Sequence, residues 1–185
     1  VASAESSEHE KFRKSFSFLN ETRYEYWKRM EFSESQWKEI KQHTEEVGLE
    51  FISSPFSLAA VDLLEKINVK KYKIGSGEVN NLAMIKKIAE TKKEIIISSG
   101  LSDLNELDNT IKFLKSYENK ISILQCTSKY PAKNSEIGLN NIDKLRERYK
   151  VPVGYSDHSG NIYAALAAVS LGAEIIESHV VFNKQ

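Results

Sequence analysis

The chain has little that would tie it to a membrane, a secretory route or a polyanion. Cys126 is the only cysteine in 185 residues, so no disulfide can form within the chain. A lone thiol inside an apolar run fits a reducing, cytoplasmic compartment. No stretch reaches the roughly 20 apolar residues that a membrane helix needs. The first thirty residues also lack the basic-then-apolar pattern of a secretory signal. The triplet Asn20-Glu21-Thr22 has the form of a glycosylation acceptor, but without such a signal it carries no weight. Charge of one sign is missing too: 26 Lys and Arg balance 26 Asp and Glu, which argues against nucleic acid or an anionic membrane as partner. There is no initiator Met, and the chain stops directly after an apolar run; the expectation is that both ends continue into a longer protein.

What is present can build a core. With 41% hydrophobic residues, a chain of this size hides roughly 70% of its unfolded surface on folding. Residues 1–32 read as a polar N-terminal segment and loop, a loop or weak helix up to about Asn20, and residues 33–185 as the structured domain. A helix opens at Ser33, which pairs with Gln36 as a capping box; Trp37, Ile40 and Val47 share one face, and Gly48 follows the last turn. A unit then recurs: a short apolar strand, a polar tip, an amphipathic helix. The predicted strands are Glu50–Ser53, Tyr72–Gly75, Glu94–Ser98, Ile121–Cys126, Val151–Gly154 and Ala173–Ile176, at the spacing of βα units. Between them, one helix carries Leu104, Leu107, Ile111 and Leu114 on one face, another Ile142, Leu145 and Tyr149. The alanine-rich stretch from Asn161 to Leu171 suits close packing on a sheet. Wholly apolar strands separated by helices imply a parallel sheet.

Such a sheet is either open and doubly wound or closed into a barrel. The strand tips favour the barrel. They read Ser53-Ser54-Pro55, Gly75-Ser76-Gly77-Glu78, Ser98-Ser99-Gly100, Thr127-Ser128-Lys129-Tyr130, Ser156-Asp157-His158 and Glu177-Ser178-His179, all polar and chemically capable. An open sheet uses one switch point, whereas a barrel brings all tips to one mouth. The fold class is therefore α/β, a TIM (β/α)8 barrel of which six units are visible. A full barrel has eight, so two are expected upstream.

Of the four histidines, His158 and His179 each follow a buried strand, whereas His9 and His43 lie in a polar tail and on a charged helix. Neighbouring strand ends would let the first two share one ion, since imidazole suits Mn, Fe, Co or Zn. The alternative is two separate, hydrogen-bonded rim histidines. Lys73 lies within an apolar strand, where a charge must be paired or used: it binds phosphate or carboxylate, forms a Schiff base, or makes an ion pair with Glu78. Gly75-Ser76-Gly77 is no dinucleotide fingerprint, because Asn80 stands where glycine is wanted. The hydroxyls of Ser54, Ser76, Ser98 and Ser99, with the open backbone at Gly100, could hold a phosphate or serve as ordinary turns and caps. Tyr130 either covers the mouth or packs its loop.

Together, Phe51-Ile52-Ser53-Ser54-Pro55-Phe56, Tyr72-Lys73-Ile74-Gly75-Ser76-Gly77-Glu78, Cys126-Thr127-Ser128-Lys129-Tyr130-Pro131, Gly154-Tyr155-Ser156-Asp157-His158 and Ile176-Glu177-Ser178-His179 resemble, in order and spacing, the bacterial sialic acid synthase family, the N-acetylneuraminate, legionaminate and pseudaminate synthases. The resemblance runs from about Tyr24 to the last residue. It implies a metal-dependent TIM barrel followed by a small antifreeze-like domain. The implied reaction condenses phosphoenolpyruvate with an N-acetylated hexosamine to a nonulosonic acid, with release of phosphate, a C–C bond-forming transfer of the 2.5.1 class. Carried over by motif, His158 and His179 are implied metal ligands, with Mn2+ first among divalent ions and Mg2+ or Co2+ as the other candidates. Lys73, Ser54, Ser76, Ser98, Gly100 and Ser156 would surround phosphoenolpyruvate, Glu78 the reacting carbons, and Ser128 and Tyr130 the sugar.

Two positions depart from family usage: Ser54 replaces a Thr found in some members, keeping the hydroxyl, and Ser128 replaces an Asn, losing the amide. Sugar preference is the property these departures touch. The resemblance also places two barrel strands, an acidic residue and a Lys/Gln pair ahead of this chain, and beyond it the domain that lends an arginine across a homodimer. Two other functions remain open: a class I aldolase with Lys73 as nucleophile, and a truncated, non-catalytic sugar-phosphate-binding remnant.

Overall fold

A computed structural model describes residues 19–183, which fall into two compact units divided between Val69 and Lys70. The first contains three helices. α1 (Arg23–Arg29) lies within the stretch read as N-terminal segment and loop. Its signal is Thr22 with Glu25, a complete capping box that satisfies two backbone donors otherwise left open at a helix start. α2 (Glu34–Glu46) starts from the expected Ser33 and Gln36 box, and α3 (Leu58–Lys66) is capped by the Ser57 side chain. Residues 1–18 of the opening segment lie outside the described residues. The strand expected at Glu50–Ser53 does not form: only Ser53 makes an isolated bridge, and Glu50 and Ile52 are exposed. A strand exists through consecutive ladder bonds, and this segment has none.

The second unit is a five-stranded parallel sheet in strict chain order: β1 (Lys71–Ile74), β2 (Glu94–Ser98), β3 (Ile121–Cys126), β4 (Val153–Asp157) and β5 (Ile176–Ser178). Between them run α4 (Leu82–Glu90), α5 (Leu104–Ser116), α6 (Asn141–Tyr149) and α7 (Tyr163–Ser170). An unbroken neighbour-to-neighbour order is that of a barrel wall, with none of the reversal that defines a doubly wound sheet. The result is a parallel α/β half-barrel.

Three strands shift from their predicted bounds, β1 by one residue and β4 and β5 further along the chain, the last two for local reasons. Pro152 has no N–H to give a ladder, so β4 starts at Val153 and runs on through Ser156 and Asp157. At the other end of α7, Gly172 takes φ +80° and the Ala173 N–H turns back to the Ala168 carbonyl. With that donor spent on closing the helix, β5 begins at Ile176 instead of Ala173.

Alternation divides each strand between two faces. The register aligns Tyr72, Ile95 and Ile121 in one row and Ile74, Ile97, Ile123 and Val153 in the next, all of them buried. Against this face stand the buried stripes of the helices, Met84, Ile85 and Ile88 of α4 and Leu107, Ile111 and Leu114 of α5 among them. α5 packs on β3, α6 on β3 and β4, and α7 on β4. Each such side chain contributes about 1.5–3 kcal/mol by leaving water. The opposite face carries Lys73, Ser98, Cys126, Gly154, Ser156 and Glu177, and there the chemistry collects.

Gly154 permits the close fit of that face. A Cβ there would lie 2.7 Å from both the Ile175 Cβ and the Leu124 Cδ2, so any side chain would push neighbouring strands apart.

Candidate functional site

The carboxyl ends of β1 to β5 bring side chains from five segments into hydrogen-bond contact. Lys73, on the concave face of β1, sends Nζ to the Ser98 Oγ at 2.8 Å and to the Glu177 Oε1 at 3.3 Å. The ammonium thus reaches from the first strand to the last. The ion pair weighed for Lys73 in the sequence is made with Glu177, and Glu78 is engaged elsewhere: its Oε2 accepts from the Asn81 Nδ2 at 2.8 Å, beside the start of α4.

Hydroxyls line the neighbouring tips. Ser76, in the 3-10 turn after β1, lies 3.0 Å from Ser128, Oγ to Oγ. Ser98 and Ser156 are buried on the concave face, and Ser99 is tied by Oγ and N–H to the Leu124 carbonyl, both at 3.1 Å. Gly100 allows the loop after β2 to pass against the loop after β3: a Cβ would sit 2.5 Å from the Ser128 Oγ and 2.9 Å from the Cys126 Sγ. Ser54 belongs to the first unit, where it directly follows the Ser53 bridge.

At the β4 and β5 ends the two histidines meet. His158 Nδ1 and His179 Nε2 are 3.2 Å apart. The other nitrogen of His158, Nε2, lies 3.1 Å from the Tyr130 hydroxyl and 3.6 Å from the Cys126 Sγ. Burial and the neighbouring His179 together lower the pKa of His158, which favours the neutral imidazole. Partial desolvation of its hydroxyl end also raises that of the otherwise exposed Tyr130 phenol, helped by the neighbouring Glu177 carboxylate. The protein thus presents a neutral His158 beside a tyrosine that keeps its proton.

The two imidazole nitrogens, 3.2 Å apart, are donors of the kind that could hold a divalent ion such as Mn, Fe, Co or Zn. Among the described residues no third His, Cys, Asp or Glu joins them in a cluster, so water and substrate would fill the remaining positions.

Glu177, through Lys73, and Cys126, 3.6 Å from His158 Nε2, join the network of contacts at the strand ends, although sequence reasoning did not select them for it. The signal for Glu177 was its place two residues before His179: it lies on β5, and His179 follows the last residue of that strand. Partner choice was not legible, because Lys73 and Glu177 are brought together only by the curl of five strands.

The profile of the NeuB family matches residues 1–185. The N,N'-diacetyllegionaminic acid synthase of Campylobacter jejuni is 38% identical over 168 residues, which cover 89% of this chain and 50% of that protein. Human N-acetylneuraminate-9-phosphate synthase is 34% identical over 161 residues, 86% of this chain and 45% of that one. The chain thus spans about half the length of these curated relatives. Among solved structures, the N-acetylneuraminic acid synthetase of Leptospira borgpetersenii, crystallised with citrate, superposes with a TM-score of 0.79 at 31% identity, covering 81% of this chain and 53% of that one. On a profile match along its whole length and relatives above 30% identity over most of it, this chain belongs to the NeuB family.

Proposed function

We propose that the complete protein condenses phosphoenolpyruvate with an N-acetylated hexosamine, either N-acetylmannosamine or a 2,4-diacetamido-dideoxy sugar, to a nonulosonic acid and inorganic phosphate. The observation that carries this reading is the convergence of Lys73, Ser98, Glu177, His158 and His179 at adjacent strand ends in a NeuB-family chain. On this reading the half-barrel is the middle of an eight-stranded barrel in a cytoplasmic homodimer. Further barrel strands and a C-terminal domain would then supply the remaining walls of the site.

Each residue has a role that its chemistry suits. Lys73 offsets the carboxylate and phosphate charges of phosphoenolpyruvate. An arriving anion competes for it with Glu177, whose carboxylate is 41% exposed and easily released to water. Ser76, Ser98 and Ser156 donate hydroxyl hydrogen bonds, and Gly100 lets its loop pass close against Ser128 and Cys126. His158 and His179 would hold a divalent ion, Mn2+ first, with Mg2+ or Co2+ as the other candidates. When bound, it supplies Lewis-acid polarisation of the open-chain sugar aldehyde. The methylene carbon of phosphoenolpyruvate forms the new C–C bond to that aldehyde, positive charge develops at C2, water adds there, and phosphate leaves. Glu78 stabilises the charge at C2 or takes the water's proton. Ser128 and Tyr130 face the sugar end.

The test is a coupled phosphate-release assay on the complete protein with Mn2+, offering each sugar in turn and identifying the product by mass. Release that requires both phosphoenolpyruvate and one of the amino sugars is the expected result. A borohydride-trapped adduct on Lys73 without phosphate release would overturn it in favour of a Schiff-base aldolase.

A further inference from the structure

Tyr130 stands in the loop after β3, yet its closest partners belong to the β4 and β5 tips. Its hydroxyl is 3.1 Å from His158 Nε2. Its ring lies 4.2 Å from the His158 ring, centroid to centroid, tilted by 36°, and 5.7 Å from that of His179 in an edge arrangement at 72°. Two residues on, the Ala132 N–H donates to the His158 carbonyl at 2.8 Å. The same short loop therefore grips His158 twice, through its backbone and through its imidazole.

Only one nitrogen of His158 faces His179, namely Nδ1. If that nitrogen carries the lone pair, the proton resides on Nε2 and is donated to the Tyr130 oxygen. A hydrogen bond from the far nitrogen fixes the tautomer and ring orientation of a ligating histidine and raises its basicity. The tyrosine's own proton then stays free to donate outward, toward the sugar end of the site.

We infer that Tyr130 is a positioning residue for the metal-ligating His158, holding its imidazole with Nδ1 turned to the ion; this rests on the metal reading given under the proposed function. A contact to the sugar and a hold on the ligand then run through one phenol. A hydrogen bond polarised at one end strengthens the other, so sugar binding and ligand basicity are linked through the same oxygen.

The test compares the complete protein with its Tyr130→Phe and His158→Ala variants by calorimetric titration with Mn2+ and by the visible absorption of bound Co2+. Tyr130→Phe keeps the ring and removes only the hydroxyl of a side chain that is 67% exposed, so folding is not at issue. The expected result is Mn2+ affinity about tenfold weaker in Tyr130→Phe, the lower end of the usual range for such partners because the Cys126 Sγ remains near, with a shifted Co2+ spectrum. His158→Ala abolishes binding. Parent-like affinity and spectrum in Tyr130→Phe, with only a higher KM for the sugar in the complete enzyme, overturn the inference and leave Tyr130 as a sugar contact. Absence of Mn2+ and Co2+ binding by the parent protein overturns the metal reading itself, and this inference with it.

Discussion

Gly100→Ala isolates one contact on which the site depends. The new Cβ would lie 2.5 Å from the Ser128 Oγ, 2.9 Å from the Cys126 Sγ and 3.1 Å from the Cys126 carbonyl oxygen. Gly100 is not among the glycines with positive φ, so the backbone accepts alanine and only space is at stake. The Ser128 hydroxyl can rotate away, at the loss of its 3.0 Å bond to Ser76, about 1 kcal/mol. The sulfur and the carbonyl belong to β3 and its end and cannot swing aside, which adds about 1–3 kcal/mol of overpacking. Restricting the unfolded chain returns about 0.4–1 kcal/mol, leaving a net loss of about 2 kcal/mol. For a protein of this size that is a fall in Tm of roughly 4–8 °C. Gly77→Ala is the internal control: its nearest neighbour would be the Leu101 Cδ1 at 3.9 Å, so it should be neutral or slightly stabilising. Thermal denaturation of both variants reads the difference, and phosphate release reads the KM for phosphoenolpyruvate, which should rise in Gly100→Ala alone. Equal Tm values for the two variants would refute the close-approach argument.

Removing either imidazole should abolish metal-dependent turnover: His158→Ala and His179→Ala in the complete enzyme are each expected to lose at least 100-fold in kcat, and near-normal turnover in either would sink the metal assignment. Glu177→Gln frees Lys73 from its internal anion, so the KM for phosphoenolpyruvate should fall by up to about fivefold, the worth of a half-exposed ion pair; an unchanged or higher KM would show that the two anions do not compete. On the surface, the Arg148 guanidinium holds the Asp108 carboxyl down to about 2. A depressed carboxyl stabilises the fold above its unfolded pKa near 3.8 and loses that contribution as pH falls toward 2. Being exposed, the pair contributes little, so the effect is small. Urea titrations should show Asp108→Asn weaker than the parent at pH 7 and equal to it near pH 1, about a unit below the folded pKa; a difference that persists there would refute the linkage.

Much of this was legible in the residues because it is periodic. β2 and β3 occur at their predicted places, and the apolar positions of α5 face the sheet, since alternation and the 3.6-residue repeat report burial directly. The meeting of His158 with His179 followed from their place after consecutive strands. What escaped depends on backbone donors and distant partners. α1 is set by one capping box in a polar stretch, and β5 starts late because the Ala173 N–H is already used by α7. Lys73 has carboxylates both near in sequence and far from it, and nothing local favours Glu177 over Glu78. The hydroxyl of Tyr130 likewise finds His158 through loop geometry that composition does not encode.

The contact between Lys73 and Glu177 joins the first and fifth strands of the sheet. It can close only after β2, β3 and β4 have docked between them, since each strand is held by its sequence neighbours. Such a contact of high sequence separation carries a large loop-closure cost and is among the last to form. The binding groups therefore come into being as the final act of folding this unit, and a ligand of Lys73 would be a kinetic reporter on the assembly of the entire sheet.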